Sequence, residues 1–316
     1  MKQKWLRMAA IWLIAVCCTL PASALPNSLI PGGCTVGVKL YTQGLVITGF
    51  QSGSAAKAAG LKKGDIIVAA DGTQLHTTET LREYLNGERV VLTVLRNGKT
   101  ASFCVTPRES AIGAYVKDSI AGIGTVTYYD PLTGSFGALG HGVCDADTEQ
   151  LMPVVAGVVV HSDVTNVRKG VGGNPGELKG EFDVEKIMGE VTRNTDKGIY
   201  GTLTAPLLGR PVPVAASEFI KTGHAEILAN VSGTEVCSYA VEIIKVFPDA
   251  ADSNRNMLLK VTDQDLLNTT GGIVQGMSGS PIIQDGKLVG AVTHVLVNDP
   301  TRGYGIFIEN MLEAAG

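Results

Sequence analysis

Glycine divides the later two thirds of the chain into short apolar runs, and this spacing limits the folds that it can adopt. Runs that read as strands lie at residues 120–129, 154–161, 201–203, 225–231 and 238–246. Short runs at close spacing are typical of a β-sandwich or a β-barrel. The 316 residues include 39 glycines, so this part is predicted to be β-rich, with small helices expected only at residues 183–190 and 309–315.

The tightest glycine-lined corner is Gly276-Met277-Ser278-Gly279-Ser280-Pro281. Glycine reaches backbone angles that other residues avoid, so this hexapeptide can present a serine hydroxyl on a sharp turn. Backbone N–H groups on such a turn can stabilise an oxyanion. Directly downstream, residues 281–283 and 288–293 flank an Asp-Gly turn and predict a β-hairpin. The corner resembles the G-x-S-G-x-P signature of chymotrypsin-like serine peptidases, with Ser278 as nucleophile and Met277 where those enzymes usually have Asp.

A second motif lies in the first half of the chain. Residues 54–67 follow S-x-A-x-x-A-G-L-x-x-G-D-x-I, a pattern that resembles the PDZ domains of bacterial proteases. Strands are expected at residues 36–40 and 44–50, a short helix closed by glycine at residues 54–61, and a second helix at residues 78–86. The resemblance predicts a PDZ domain at residues 34–107, a linker at 108–111 and a second domain at 112–316. PDZ domains bind an extended peptide at a sheet edge.

Two longer stretches identify a family. GGIVQGMSGSPIIQDGKLVGAVTHVLVNDPTRGYGIFIENML, which begins at Gly271, and FGALGH, which ends at His141, resemble the stage IV sporulation protein B peptidases. These are PDZ-containing, membrane-anchored serine peptidases of endospore-forming bacteria. The resemblance implies a mainly β fold, in which an N-terminal PDZ domain precedes a chymotrypsin-like β-barrel serine peptidase domain.

The same resemblance implies the catalytic residues. Ser278 would be the nucleophile, His141 the base and Asp263 the acid that orients the histidine, while the N–H groups of Gly276 and Ser278 would form the oxyanion hole. Asp263 precedes Ser278 by 15 residues, whereas chymotrypsin-like enzymes place the aspartate nearer the histidine. Asp265 remains an alternative acid, because it would lie on the same side of an extended segment.

Other histidines and other chemistries fit less well. His161 and His294 are rival bases, and His294 follows the strand after the serine corner. No H-E-x-x-H or C-x-x-C motif predicts a metal site, and no glycine-rich loop has a nucleotide-binding pattern, so neither a metal nor another cofactor is expected. Gly272 stands where trypsin-like enzymes carry an acidic pocket residue, so no preference for Lys or Arg is inferred.

The first 33 residues are predicted to be an export signal or membrane anchor with a short linker. Three basic residues precede an apolar run of 13 residues, Met8 to Leu20, and an A-x-A site ends at Ala24. Cleavage after Ala24 and retention as an anchor both stay open. Either outcome places the rest of the chain outside the cytosol.

Export makes disulfide bonds possible between Cys34, Cys104, Cys144 and Cys237. The sequence does not choose among the three pairings. A Cys34–Cys104 bond is one hypothesis, because these residues lie at the two ends of the PDZ-like segment. Buried free thiols are the alternative.

The resemblance also implies a biological role. Family members act in sporulation signalling, cleaving themselves and a membrane-bound regulatory complex across the forespore intermembrane space, which leads to sigma-factor activation in the mother cell. The expected partners are protein substrates, including the chain itself, and a membrane-protein complex bound through the PDZ domain. The net charge of −4 argues against nucleic acid. A PDZ scaffold with a vestigial peptidase fold is the alternative function.

Overall fold

The computed structural model describes residues 26–146, 148–248 and 254–316, and it confirms a mainly β fold. The first nine strands are β1 (Ser28–Pro31), β2 (Thr35–Phe50), β3 (Ile66–Ala70), β4 (Thr73–Gln74), β5 (Val90–Arg96), β6 (Lys99–Val105), β7 (Ala114–Tyr129), β8 (Ser135–Ala138) and β9 (Val154–Arg168). The other nine are β10 (Glu177–Thr195), β11 (Gly198–Leu203), β12 (Val212–Pro213), β13 (Gly223–Ala229), β14 (Cys237–Val246), β15 (Met257–Val261), β16 (Pro281–Gln284), β17 (Lys287–Leu296) and β18 (Asp299–Phe307). The helices are α1 (Ala55–Ala58), α2 (Thr78–Glu83), α3 (Gln264–Thr270) and α4 (Ile308–Ala315), and α2 continues as a 3₁₀ turn, Tyr84–Asn86.

Six antiparallel strands close into a first barrel. The pairing runs from β2 to β7, β8, β11, β10 and β9 and returns to β2. Alternate residues of these strands fill one core, which includes Val36, Val38, Leu40, Val126, Phe136, Val159 and Ile199. Successive side chains of a strand point to opposite faces, so the residues that face this core recur at every second position.

The PDZ unit is inserted between the parts of β2 and β7 that belong to the barrel. The second half of β2 leaves the barrel and pairs with β3, and β5 and β6 continue this sheet. Asp65 stabilises the Gly-Asp turn of the motif, because its carboxylate accepts hydrogen bonds from the Lys62 N–H at 2.7 Å and from Arg96 Nε at 2.6 Å. The start of β7 completes the unit, with Ala114 paired to Phe50 and Lys117 to Val46.

The strand pairing therefore crosses the predicted domain limits at 33/34 and 107/112. Strand β1 pairs with β7 through Ile30 and Tyr129, and Val36 to Tyr41 pair on both edges with β7 and β9 of the barrel. The two strands expected at residues 36–40 and 44–50 are one continuous strand. Arg108 and Ala111, at the ends of the predicted linker, exchange backbone hydrogen bonds in a tight turn.

The second barrel is built from the end of the chain. Strands β13, β14, β15, β18, β17 and β16 close in that order around a large apolar core. The predicted hairpin is confirmed as β16 and β17, and its turn residues Asp285 and Gly286 have φ angles of 51° and 73°. Such left-handed angles are those of a tight hairpin turn.

Three other expectations have clear outcomes. The predicted helix at residues 183–190 is wrong: this segment lies within β10, where Asp183 pairs with His161 of β9 and Glu190 with Val158. The C-terminal helix is confirmed as α4. The Cys34–Cys104 bond is not formed, because Cys34 lies at the first barrel and Cys104 on β6 of the PDZ unit, and all four described cysteines are free thiols.

The predicted signal peptide and its Ala24 site lie in residues 1–25, outside the described part of the chain. Of the helices that are described, none has the length and apolar character needed to cross a membrane.

Candidate active site

The serine corner is a tight turn between α3 and β16. Gly276 and Gly279 adopt φ angles of 99° and 98°, and Ser280 N–H donates to the Met277 carbonyl. A side chain at position 279 would collide with the backbone of Thr125 and Leu139 in the first barrel. Glycine is therefore required there, because the corner of one barrel is pressed against the other.

Thr125, on β7, holds this corner from the first barrel. Its hydroxyl donates to the Gly276 carbonyl at 2.8 Å, and its N–H donates to the Ser278 carbonyl at 3.0 Å. The N–H groups of Gly276 and Ser278 make no hydrogen bond to any described residue. The carbonyls that share peptide planes with these two N–H groups, those of Gln275 and Met277, accept from the N–H groups of Leu178 at 2.8 Å and Ser280 at 3.0 Å. Both N–H groups are therefore held in orientation and available as hydrogen-bond donors.

His141 follows a turn that begins at the end of β8. Leu139 and Gly140 have φ angles of 71° and 70°, and Gly140 packs against Thr293 of β17. The His141 Nδ1 lies 2.9 Å from the Gly142 carbonyl oxygen. Burial lowers the pKa of His141 below 6.5, which favours the neutral imidazole that a base requires.

Asn194, near the end of β10, fixes the loop after His141. Its side-chain oxygen accepts from the Val143 N–H at 2.9 Å, and its amide donates to the Val143 carbonyl at 2.8 Å and to the Met152 carbonyl at 3.0 Å. Neither Asn194 nor Thr125 was identified from the sequence. Both act through contacts between residues far apart in the chain, and no local motif marks them.

The Ser278 hydroxyl donates to the Thr293 carbonyl at 2.8 Å, and no hydrogen bond joins it to His141. His294, the next residue, places its ring 5.2 Å from the His141 ring, centroid to centroid. The His294 Nδ1 is buried and has no hydrogen-bond partner among the described residues. Burial, with the nearby His141 and Arg255, lowers the pKa of His294 to about 4, so this imidazole is neutral near pH 7.

The structure does not bring Asp263 into contact with His141. Asp263 caps the N-terminus of α3, where its carboxylate accepts from the N–H groups of Leu266 at 3.0 Å and Ala240 at 3.3 Å. Its assignment as the catalytic acid stays a prediction. The premise for Asp265 is wrong, because this residue lies in the first turn of a helix and not on an extended segment.

Ser278, His141, His294 and Gly276 line one cavity of about 420 Å³ between the two barrels. The rival His161 lies outside it, on β9, 4.0 Å from Asp163. Within residues 26–146, 148–248 and 254–316, no three His, Cys, Asp or Glu side chains are grouped as metal ligands would be. The cavity therefore brings together a serine hydroxyl, a neutral imidazole and two unpartnered N–H groups. These are the groups that acyl transfer uses as nucleophile, base and oxyanion donors.

Comparison with protein families gives two matches along the chain. The family model described as SpoIVB peptidase S55 matches residues 108–312, and a PDZ domain model matches residues 33–106. The PDZ domain precedes the peptidase domain, in the predicted order.

Individual relatives are more distant. A probable periplasmic serine endoprotease, DegP-like, from Chlamydia trachomatis is 37% identical over 87 residues, and its counterpart from Chlamydia muridarum is 38% identical over the same length. These matches cover 25% of this chain and only 17% of each relative. The active form of the Rv3671c protease from M. tuberculosis is 17% identical with a TM-score of 0.34, over 62% of this chain and 75% of that one. The inactive form of the same protease is also 17% identical, with a TM-score of 0.33. That match covers 61% of this chain and 84% of the protease chain.

Proposed function

Since the chain belongs to the SpoIVB peptidase S55 family, we propose that it is a serine endopeptidase that acts as a sporulation signalling protease. It would cleave itself and a membrane-associated regulatory complex in the forespore intermembrane space and so trigger mother-cell sigma-factor activation. The observation that carries the catalytic part is the cavity that Ser278 and His141 share with the unpartnered N–H groups of Gly276 and Ser278. The signalling part follows from the family.

The reaction begins with a change of partner at Ser278. Its hydroxyl leaves the Thr293 carbonyl and donates to His141 Nε2, which takes the proton as the oxygen attacks the scissile carbonyl. The Gly142 carbonyl accepts a hydrogen bond from the Nδ1–H of His141, which keeps Nε2 free as the proton acceptor. The tautomer needed for general-base catalysis is therefore the one that the loop supports.

The negative charge then develops on the substrate oxygen. The N–H groups of Gly276 and Ser278 donate to this oxyanion, and the Gln275 and Met277 carbonyls, which share their peptide planes, accept hydrogen bonds that keep both donors oriented. His141 returns its proton to the leaving amine as the peptide bond breaks, which leaves an acyl group on Ser278. Water activated by the same imidazole then releases the second product.

The PDZ unit would supply the contact with the regulatory complex. A groove runs between α2 and the start of β7, and no described strand pairs with Ala114 to Val116 on the edge opposite β2. An extended segment can add to such an edge through backbone hydrogen bonds. Export and membrane attachment complete the proposal and rest on the sequence of the first 33 residues.

Labelling with a fluorophosphonate probe tests the catalytic proposal. We expect the wild-type chain and Ser280→Ala to be labelled and to cleave peptides, and Ser278→Ala to do neither. Ser280 is a matched control, because it is buried and its hydroxyl has no partner in the described structure. An unlabelled, correctly folded wild-type chain would instead favour the alternative, a PDZ scaffold with a vestigial peptidase fold.

The same experiment with Asp263→Asn decides the third member of the site. Loss of a catalytic carboxylate behind the histidine would lower kcat by about 10⁴. Asparagine is also a good N-cap, so a residue that only caps α3 tolerates the change. If Asp263 is the catalytic acid, as the family resemblance predicts, kcat falls by that factor with unchanged thermal stability. Nearly wild-type kcat would leave Asp263 only its capping role, in which the carboxylate accepts two backbone hydrogen bonds.

A further inference from the structure

The cavity beside Ser278, where a substrate side chain would bind, has mainly apolar walls. The apolar side chains that line it include Leu139, Ile273, Val274, Val295 and Val297. Its volume of about 420 Å³ lies within the roughly 300–1,000 Å³ of typical ligand pockets. A substrate side chain that enters it exchanges water for hydrocarbon contacts.

No Asp, Glu, Lys or Arg in the described part of the chain lines this cavity. The two imidazoles at its edge, His141 and His294, both have lowered pKa values and add no positive charge near neutral pH. At Gly272, φ is 135°, and an added side chain would collide with the Pro300 carbonyl. The backbone itself thus excludes an acidic pocket residue at that position.

The end of β17 supplies a way for a peptide to lie beside this cavity. His294 and Val295 pair with Tyr304 and Gly303 of β18 on one edge. On the other edge, the pairing of β17 with β16 ends at Ala291, and Val292 still exchanges backbone hydrogen bonds with the serine corner. No described strand pairs with this edge of β17 beyond Val292. A peptide that adds to this free edge would run past Ser278 and turn alternate side chains towards the cavity.

We propose that this cavity binds an uncharged, apolar side chain of the substrate residue whose carbonyl Ser278 attacks, and that Val295 and Val297 set this preference. The inference rests on the proposed peptidase function and extends it to the substrate class. Burying an unpaired charge is costly, so Lys and Glu are rejected at this position. An aliphatic side chain gains the burial of its surface.

Peptidyl diphenyl phosphonates test the preference without the need for turnover. Three probes share the same peptide and differ only in the residue next to phosphorus, which is Leu, Lys or Glu. We expect the wild-type chain to react with the Leu probe at least about tenfold faster than with the other two. In Val295→Glu, the carboxylate would pair with the Lys side chain and raise the Lys-to-Leu ratio at least about tenfold.

Two further variants complete the design. Val297→Glu should raise the same ratio, and Val297 is 50% exposed, so a charged side chain there does not threaten folding. Val155→Glu is the control, because Val155 is 56% exposed on β9 and does not line the cavity. Its probe preferences should match the wild type.

The outcomes separate the inference from the function on which it rests. Equal reaction of the Leu, Lys and Glu probes with a wild-type chain that a simple fluorophosphonate labels would overturn the inference alone. If Val295→Glu and Val297→Glu are labelled but keep the wild-type Lys-to-Leu ratio, the two valines do not set the preference, and that part of the inference is overturned. A wild-type chain that no phosphonate labels would overturn the peptidase proposal, and the inference with it.

Discussion

At the scale of single residues, the site depends on side chains that hold backbone groups as much as on those that do chemistry. Thr125 holds the Gly276 carbonyl, Asn194 holds both backbone groups of Val143, and the Gly142 carbonyl holds the His141 ring. Such supports keep the donors and the base in position before substrate arrives. Their loss should therefore lower the rate more than the stability.

Thr125→Val tests this support at one atom. The substitution keeps the shape of the side chain and removes the hydroxyl that donates to Gly276 at 2.8 Å. A hydrogen bond of about 1 kcal/mol corresponds to roughly a fivefold loss, which we expect in the rate of fluorophosphonate labelling.

Thr127→Val is the matched control on the same strand. Thr127 is equally buried, but its hydroxyl has no partner among the described residues, so its removal should leave the labelling rate unchanged. Equal rates for the two variants would mean that the Thr125 hydroxyl does not position the serine corner.

The pH dependence of labelling follows from the environment of His141. The base must be neutral to accept the serine proton, and burial lowers its pKa below 6.5. The labelling rate should therefore stay at more than half of its plateau at pH 6.5 and fall only at lower pH. Rate measurements between about pH 4 and pH 8 show the midpoint. A midpoint above 6.5 would indicate a carboxylate behind the ring, because a nearby negative charge raises the pKa of an imidazole.

At the scale of elements, β7 runs from the PDZ unit to the candidate active site. Its first residues, Ala114 to Lys117, form one wall of the PDZ groove, and Ile120 and Ile123 line the cavity. Thr125, further along the same strand, contacts the serine corner. Strand β2 runs beside it through both units, so the PDZ unit and the first barrel share two continuous strands.

This arrangement predicts which deletion of the PDZ unit is tolerated. Tyr41 of β2 pairs directly with Ser119 of β7, so Asn-Gly can replace residues 43–117 and close a hairpin between Thr42 and Asp118. We expect this variant to keep fluorophosphonate labelling, because all six strands of the first barrel remain.

Deletion of residues 34–107 is the comparison, because it removes the half of β2 that closes the barrel. This variant should lose both its cooperative thermal unfolding and its labelling. Were the 43–117 deletion to unfold cooperatively without being labelled, the PDZ unit would have to help in building the site.

At the scale of the whole molecule, the site lies where two six-stranded barrels meet. The first barrel contributes His141 and the second contributes Ser278, and each packs a glycine against the other: Gly140 against Thr293, and Gly279 against Thr125. The separation of the proposed base and nucleophile therefore depends on the relative position of the barrels. A cavity between two such bodies is a common place for a binding site.

The sequence by itself determined the features that follow from neighbouring residues. Turns at Gly276, Gly279 and Asp285-Gly286 and the C-terminal helix were all predicted, because backbone angles and short-range periodicity specify them. The tertiary structure alone decided that residues 183–190 pair as a strand, that β2 serves two units and that Asp263 caps a helix. It alone also identified Thr125, Asn194 and the Gly142 carbonyl as supports. These features depend on which distant segments become neighbours, and barrel closure fixes that pairing through contacts that no local pattern of residues contains.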